Sequence, residues 1–131
     1  GARYPTVAEK IEALLQFDFS PRVATRDKIA VWYAFWGEAK SRPTYQRICR
    51  DIDIRAEKTL GDLFQAAIDE GNYREIKAST LATGYTAISN GLWLNLLLGP
   101  QKTRRGQARQ VARNYLATAL PQHVSPQEPK Q

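Results

Sequence analysis

The stretch VWYAFW, Val31 to Trp36, places two tryptophans, a tyrosine and a phenylalanine within six consecutive residues. On a helix its side chains point in every direction, so it cannot have one wet face and one dry face. Such a helix is the central helix of a bundle, or its rings wall a cavity, and both readings hold together. Aromatic residues at helical spacing are more often packing than pocket. Yet Trp32, Tyr33, Phe35 and Trp36, within a turn and a half, cannot all pack inward. With Tyr45, Tyr85 and Trp93 on neighbouring helices, some of these rings are expected to enclose a void. Buried Trp and Tyr also need partners for N–H and O–H, which a polar ligand or water can supply.

Outward from this stretch the pattern is helical throughout, and no clean period-two alternation argues for a strand. Five segments are drawn, at about residues 6–17, 25–40, 43–70, 74–98 and 103–120. Thr6 and Glu9 form a capping box at the first. Ser20–Pro21 ends it, since proline disfavours a helical conformation at the residue before it. Pro43 suits the first turn of the third segment, whose apolar stripe runs through Tyr45, Ile48, Cys49, Ile52, Leu60 and Phe64. Gly71–Asn72 stops it, and Gly99–Pro100 stops the fourth. The fifth carries Ala108, Val111, Ala112, Tyr115, Leu116 and Ala119 inward, with Arg105, Arg109 and Arg113 outward.

The fourth segment ends in LWLNLLL, Leu92 to Leu98, which is apolar on nearly every side and must be covered on two faces. A second subunit covers the outer one most economically. Gly84, Ala87 and Gly91 would let another helix come close, with Leu94 and Leu98 continuing the face. Ala108, Val111, Ala112 and Tyr115 of the fifth segment are expected to complete an isologous four-helix interface. The fold expected is all-α: a five-helix antiparallel bundle over residues 1–120, dimerising through its last two helices. Residues 121–131 have no apolar period and are expected to form a disordered, Pro-containing tail.

The 131 residues suit one domain with its own core. A single cysteine, Cys49, allows no internal disulfide, and with one histidine it cannot assemble a zinc site. The beginning of the chain has no apolar signal region and no run spans a bilayer, so a cytoplasmic protein without a membrane role is expected. The net charge of +6 fits work near nucleic acid or simple solubility, and decides nothing alone. The arginines of the fifth segment read as a solvated face, since no aromatic residue interleaves to stack bases. No catalytic residue, metal or cofactor is expected. His123 and Cys49 have no partnership, Asp51 and Asp53 diverge on their helix, and no phosphate loop appears.

YAFWGEA followed by Arg42–Pro43, then ISNGLWL, then ARQVARNYLATALP together resemble the C-terminal regulatory domain of TetR-family repressors, and most closely its BetI-type branch. The Phe19–Pro21 turn, the AFW core and GLWL carry the branch resemblance, which covers about residues 9–121. The resemblance implies a homodimer whose helical core binds a small-molecule effector that relieves repression. It also implies operator contact only through an N-terminal helix-turn-helix domain that these residues do not contain. In the BetI branch the effector suggested is choline, and an aromatic cage attracts a quaternary ammonium by ~0.5–2 kcal/mol per contact. The expected effector residues are Trp32, Phe35, Trp36, Tyr45, Tyr85, Ser89, Asn90 and Trp93. Asn90, where the family often has an acidic residue before GLWL, serves equally well as an interhelical hydrogen bond. The alternative is a stand-alone helical dimeric adaptor in which the aromatic helix is pure core.

Overall fold

In the computed structural model, which describes residues 3–99 and 104–130, Thr6 opens the first helix with both halves of its capping box in place. This α1 runs Val7–Asp18, followed by α2 (Arg26–Ala39), α3 (Pro43–Gly71), α4 (Ala78–Leu98) and α5 (Arg105–Ala119). No strand occurs among the described residues. Pro100, Lys102 and Thr103, expected in the last turn and at the start of α5, lie outside them. Among the described residues no helix is long and apolar enough to cross a membrane.

Each helix stops where its chemistry runs out. Asn72 turns left-handed at φ 55°, a conformation asparagine tolerates better than most residues, and so reverses the chain after α3. The fourth helix starts at Ala78 rather than near residue 74, after an extended Lys77. Arg26 lies across the far end of α4, where Nε donates to Leu96 O at 3.2 Å and Nη2 to Gly99 O at 2.6 Å. Two of the carbonyls left over at a helix end are thereby satisfied.

The centre of the molecule is not α2. Of its residues only Ile29 and Ala39 are buried, while Val31 is 69% and Trp32 41% exposed. The core is instead made where Ile11 and Leu15 of α1, Phe64 and Ala67 of α3, Leu81 and Tyr85 of α4 and Leu116 of α5 meet. The aromatic helix is a wall beside that core. Ile48 and Ile52, expected on the inward stripe of α3, are 43% and 45% exposed. The 29-residue α3 spans about 43 Å, and its first half outruns α1 and α4.

Two expectations for α5 are reversed. Val111, expected inward, is 50% exposed, and Arg113, expected outward, is 1% exposed. Arg113 lies one turn before Leu116 and Ala117, on the face they bury, and Glu12 of α1 meets it there. Its Nη1 and Nη2 donate to Glu12 Oε1 and Oε2 at 2.7 and 2.6 Å, the bidentate geometry that suits a guanidinium. The guanidinium holds the Glu12 carboxyl below its ordinary value, with help from Gln16. Residues 121–130, expected to be without structure, lie back along the helices. Val124 is 4% exposed, Glu128 pairs with Arg109 at 2.7 Å, and Gln110 Nε2 donates to Pro126 O at 2.7 Å. Tyr73 Oη accepts from Gln122 N at 2.8 Å and sits 3.0 Å from His123 Nδ1, while His123 Nε2 lies 2.8 Å from Glu70 Oε1. These polar anchors are scattered in sequence and carry no periodic signal, so an apolar-period reading misses them.

Candidate functional site

The end of α1, one face of α2, the overhanging half of α3 and the middle of α4 surround a cavity of about 1020 Å³. Trp32 and Trp36, one turn apart on α2, form one wall with ring centroids 6.0 Å apart. Trp93 borders the cavity from α4, and among the described residues no ring contact joins it to Trp32 or Trp36. The tryptophans therefore border a space instead of filling it. Hydrogen bonds fasten the walls. Tyr33 Oη donates to Asn90 O at 2.6 Å, tying α2 to α4, and Trp93 Nε1 donates to Asp18 O at 2.9 Å, tying α4 to α1.

Asp18, the last residue of α1, borders this space. Tyr85 Oη donates to its Oδ2 at 2.6 Å. No Lys, Arg or His nitrogen of the described residues lies within 4.0 Å of it. Burial pushes its pKa above the ordinary aspartate value, and the Tyr85 hydrogen bond only partly offsets that. Burial and the adjacent Asp18 charge push the Tyr85 phenol up in turn, so it remains a donor at any ordinary pH. Ser89, 4% exposed, borders the same space. Its hydroxyl lies close enough to damp the Tyr85 shift, yet it makes no hydrogen bond of good geometry. A buried hydroxyl without a partner is rare and costly, and a ligand group can satisfy it. A carboxylate with no cationic partner among the described residues and a hydroxyl without a hydrogen bond thus share a hollow bordered by three indole rings, an arrangement whose chemistry suits an organic cation.

Of the residues expected at an effector, Trp32, Trp36, Tyr85, Ser89, Asn90 and Trp93 border this cavity. Phe35 and Tyr45 do not: they pair with each other, centroids 5.3 Å apart, and join α2 to the start of α3. The backbone carbonyl of Asn90 is used by Tyr33, and the residue borders the cavity. Sequence reading missed Asp18. The signal was present, because Asp18 continues the apolar stripe Val7, Ile11, Leu14 at the same spacing of three to four residues.

On the other side of α4, Ala87, Gly91, Leu94 and Leu98 form one exposed stripe, and Val111 of α5 is exposed as well. Ala108 and Ala112, expected at a subunit interface, are buried in the core of their own chain at 5% and 0%. Gly84 is covered by Tyr115 of the same chain, whose phenol occupies the space a side chain at Gly84 would need.

A family profile described as "BetI-type transcriptional repressor, C-terminal" matches residues 7–121. HTH-type transcriptional regulator BetI 1 of Chromohalobacter salexigens is 29% identical over 117 residues, covering 89% of this chain and 55% of that protein. A BetI regulator of Brucella anthropi is 28% identical over 118 residues, covering 90% of this chain and 58% of its own length. The BetI of Ectopseudomonas mendocina is 26% identical, covering 84% of this chain and 54% of its own. The chain thus spans about half the length of the curated relatives it matches. The crystal structure of a Pseudomonas aeruginosa PAO1 protein assigned to transcriptional regulation shares the fold. It superposes with a TM-score of 0.81 at 20% identity, over 90% of this chain and 57% of the other.

Proposed function

The chain belongs to the C-terminal family of BetI-type transcriptional repressors, and from that premise we propose that it is the effector-sensing and dimerising part of a TetR-like repressor. Its relatives are named as transcriptional regulators, not enzymes. The observation that carries the proposal is Asp18, a carboxylate with no cationic partner among the described residues, in a tryptophan-walled hollow. The effector is a small organic cation with a quaternary ammonium head, for which choline is the candidate the resemblance supplies. Operator DNA is contacted by a part of the protein that these residues do not span.

Dimerisation follows from the exposed stripe of α4. Ala87 and Gly91 allow close helix approach, and Leu94 and Leu98 supply apolar area that a second copy removes from water. Relief of repression needs the effector to favour one of two helix arrangements. The helix that carries Asp18 also carries Glu12, which grips Arg113 of α5. A shift of α1 at the effector is thereby felt at α5, which packs against the dimerising α4.

The test is calorimetric titration of the chain with choline and with its neutral isostere, in which a quaternary carbon replaces the nitrogen. Binding of choline, with much weaker binding of the isostere, supports the reading. Equal binding of the two, or binding by neither, sinks it. Light scattering of the eluting chain tests the dimer: two copies are expected, and Leu94→Glu is expected to leave one.

A further inference from the structure

The cavity is larger than a choline-sized head group needs. At the ~30 Å³ that each water-sized unit occupies in a liquid, such a cation fills roughly a fifth of the 1020 Å³. The remainder is not uniform. Its floor holds Asp18, the fully buried Tyr85 and Ser89 with its hydroxyl unsatisfied. Large apolar side chains are wet at its mouth, with Phe17 53%, Val31 69%, Trp32 41% and Ile52 45% exposed beside charged residues of both signs. Exposed large apolar side chains gathered at one opening mark a binding groove more often than chance.

We infer that the preferred ligand is an amphipathic monocation larger than choline, with its charged head at Asp18, a hydrogen-bonding group at Ser89 Oγ and an apolar body running out between Trp32 and Ile52. This rests on the effector reading, and names the class of molecule that the same site takes. A polar zwitterion or a bare trimethylammonium leaves the mouth wet and the indole of Trp32 uncovered. An apolar body removes both from water, and the single carboxylate at the floor sets the head charge at one. Asp27 and Asp53 also border the cavity, as do Arg22, Lys28 and Arg55, all from exposed positions where water screens them.

The experiment is calorimetry of the chain with choline and with butyl-, hexyl- and octyltrimethylammonium below their micelle concentrations, each beside the alcohol of equal chain length. Affinity for the cations is expected to rise about fourfold for each methylene that reaches the mouth, and every alcohol is expected to bind at least tenfold more weakly than its cation. Ile52→Ala, a change at an exposed position that leaves the core intact, is expected to flatten the rise along the series. Asp18→Asn is expected to weaken all four cations by a similar factor and to leave the alcohols as they were. Choline binding while affinity stays flat or falls with chain length overturns this inference and leaves the effector reading standing. Alcohols that bind as tightly as cations overturn the role of Asp18. Failure of every cation, choline included, defeats the effector reading and this inference with it.

Discussion

The buried pair between Glu12 and Arg113 makes an asymmetric prediction. The Arg113 side chain is 1% exposed and its partner 28%. Glu12→Gln therefore strands a guanidinium in the core, where Nε already has no partner, and such a loss costs about 3–5 kcal/mol. Arg113→Met leaves a carboxylate that still reaches water and keeps the 2.7 Å bond from Gln16, and about 1–2 kcal/mol is expected. For a chain of this length a kilocalorie is worth roughly 3–4 °C in Tm, so Glu12→Gln is expected to lower Tm by roughly 9–20 °C and Arg113→Met by about 3–8 °C. The double variant Glu12→Leu/Arg113→Met, which replaces the pair by apolar atoms, is expected to return close to the parent. The assay is far-UV circular dichroism on heating at neutral pH, with protomer concentration held fixed because a dimer's Tm depends on it. Equal losses from the two single variants, or strict additivity in the double, refute the reasoning. The pH dependence is a second check. Arg113 holds Glu12 below its ordinary value of 4.5, so the pair's contribution is full above that value and fades as pH falls through the lower folded-state value.

Affinity for a trimethylammonium probe is expected to fall on acidification at a pH above the ordinary aspartate value of 3.8, because only ionised Asp18 attracts a cation; Asp18→Asn removes that dependence, measured by calorimetry across pH. The same variant is expected to raise the Tm of the ligand-free chain at neutral pH. A raised carboxyl pKa means that the folded state gives up stability as pH climbs past the unfolded value, and asparagine has no charge to bury. Tyr73→Phe deletes the oxygen that joins Gln122 N and His123 Nδ1, at about 1–2 kcal/mol, and hydrogen exchange is expected to quicken at residues 122–124. Gly84→Ala drives a methyl into the Tyr115 phenol and is expected to cost about 1–3 kcal/mol in urea unfolding, most of it restored by adding Tyr115→Leu.

The helices were legible because caps and stops are local. Thr6 with Glu9, Thr25, Pro43 and Asn72 each act within one turn, and the five segments fall within a few residues of the observed ones. What lies between helices was not legible. An arginine at helical spacing reads as solvated until Glu12, 101 positions away, is known to face it. The stripe position of Asp18 marks it as inward, but not that Tyr85 and Trp93, 67 and 75 positions away, would be its partners. Phe35 and Tyr45 were grouped with the other rings by composition, whereas the direction of Phe35 around α2 sends it to Tyr45 at the start of α3. Periodicity also overstated α3, since a stripe of isoleucines shows an apolar face and not how far the neighbouring helices extend beside it.

The overhang of α3 sets how the hollow can open. Its packed part begins near Leu60 and Phe64, whereas the wall it lends to the hollow is built from Ile52 to Thr59. Beyond the packed part it is held mainly by α2, through contacts such as Phe35 on Tyr45. That stretch resembles a door leaf hung on a rigid post: it can swing by rearranging a few surface rings while the post stays fixed. Opening of the hollow and whole-molecule melting then draw on different contacts, surface rings for the one and the shared core of α1, α3, α4 and α5 for the other.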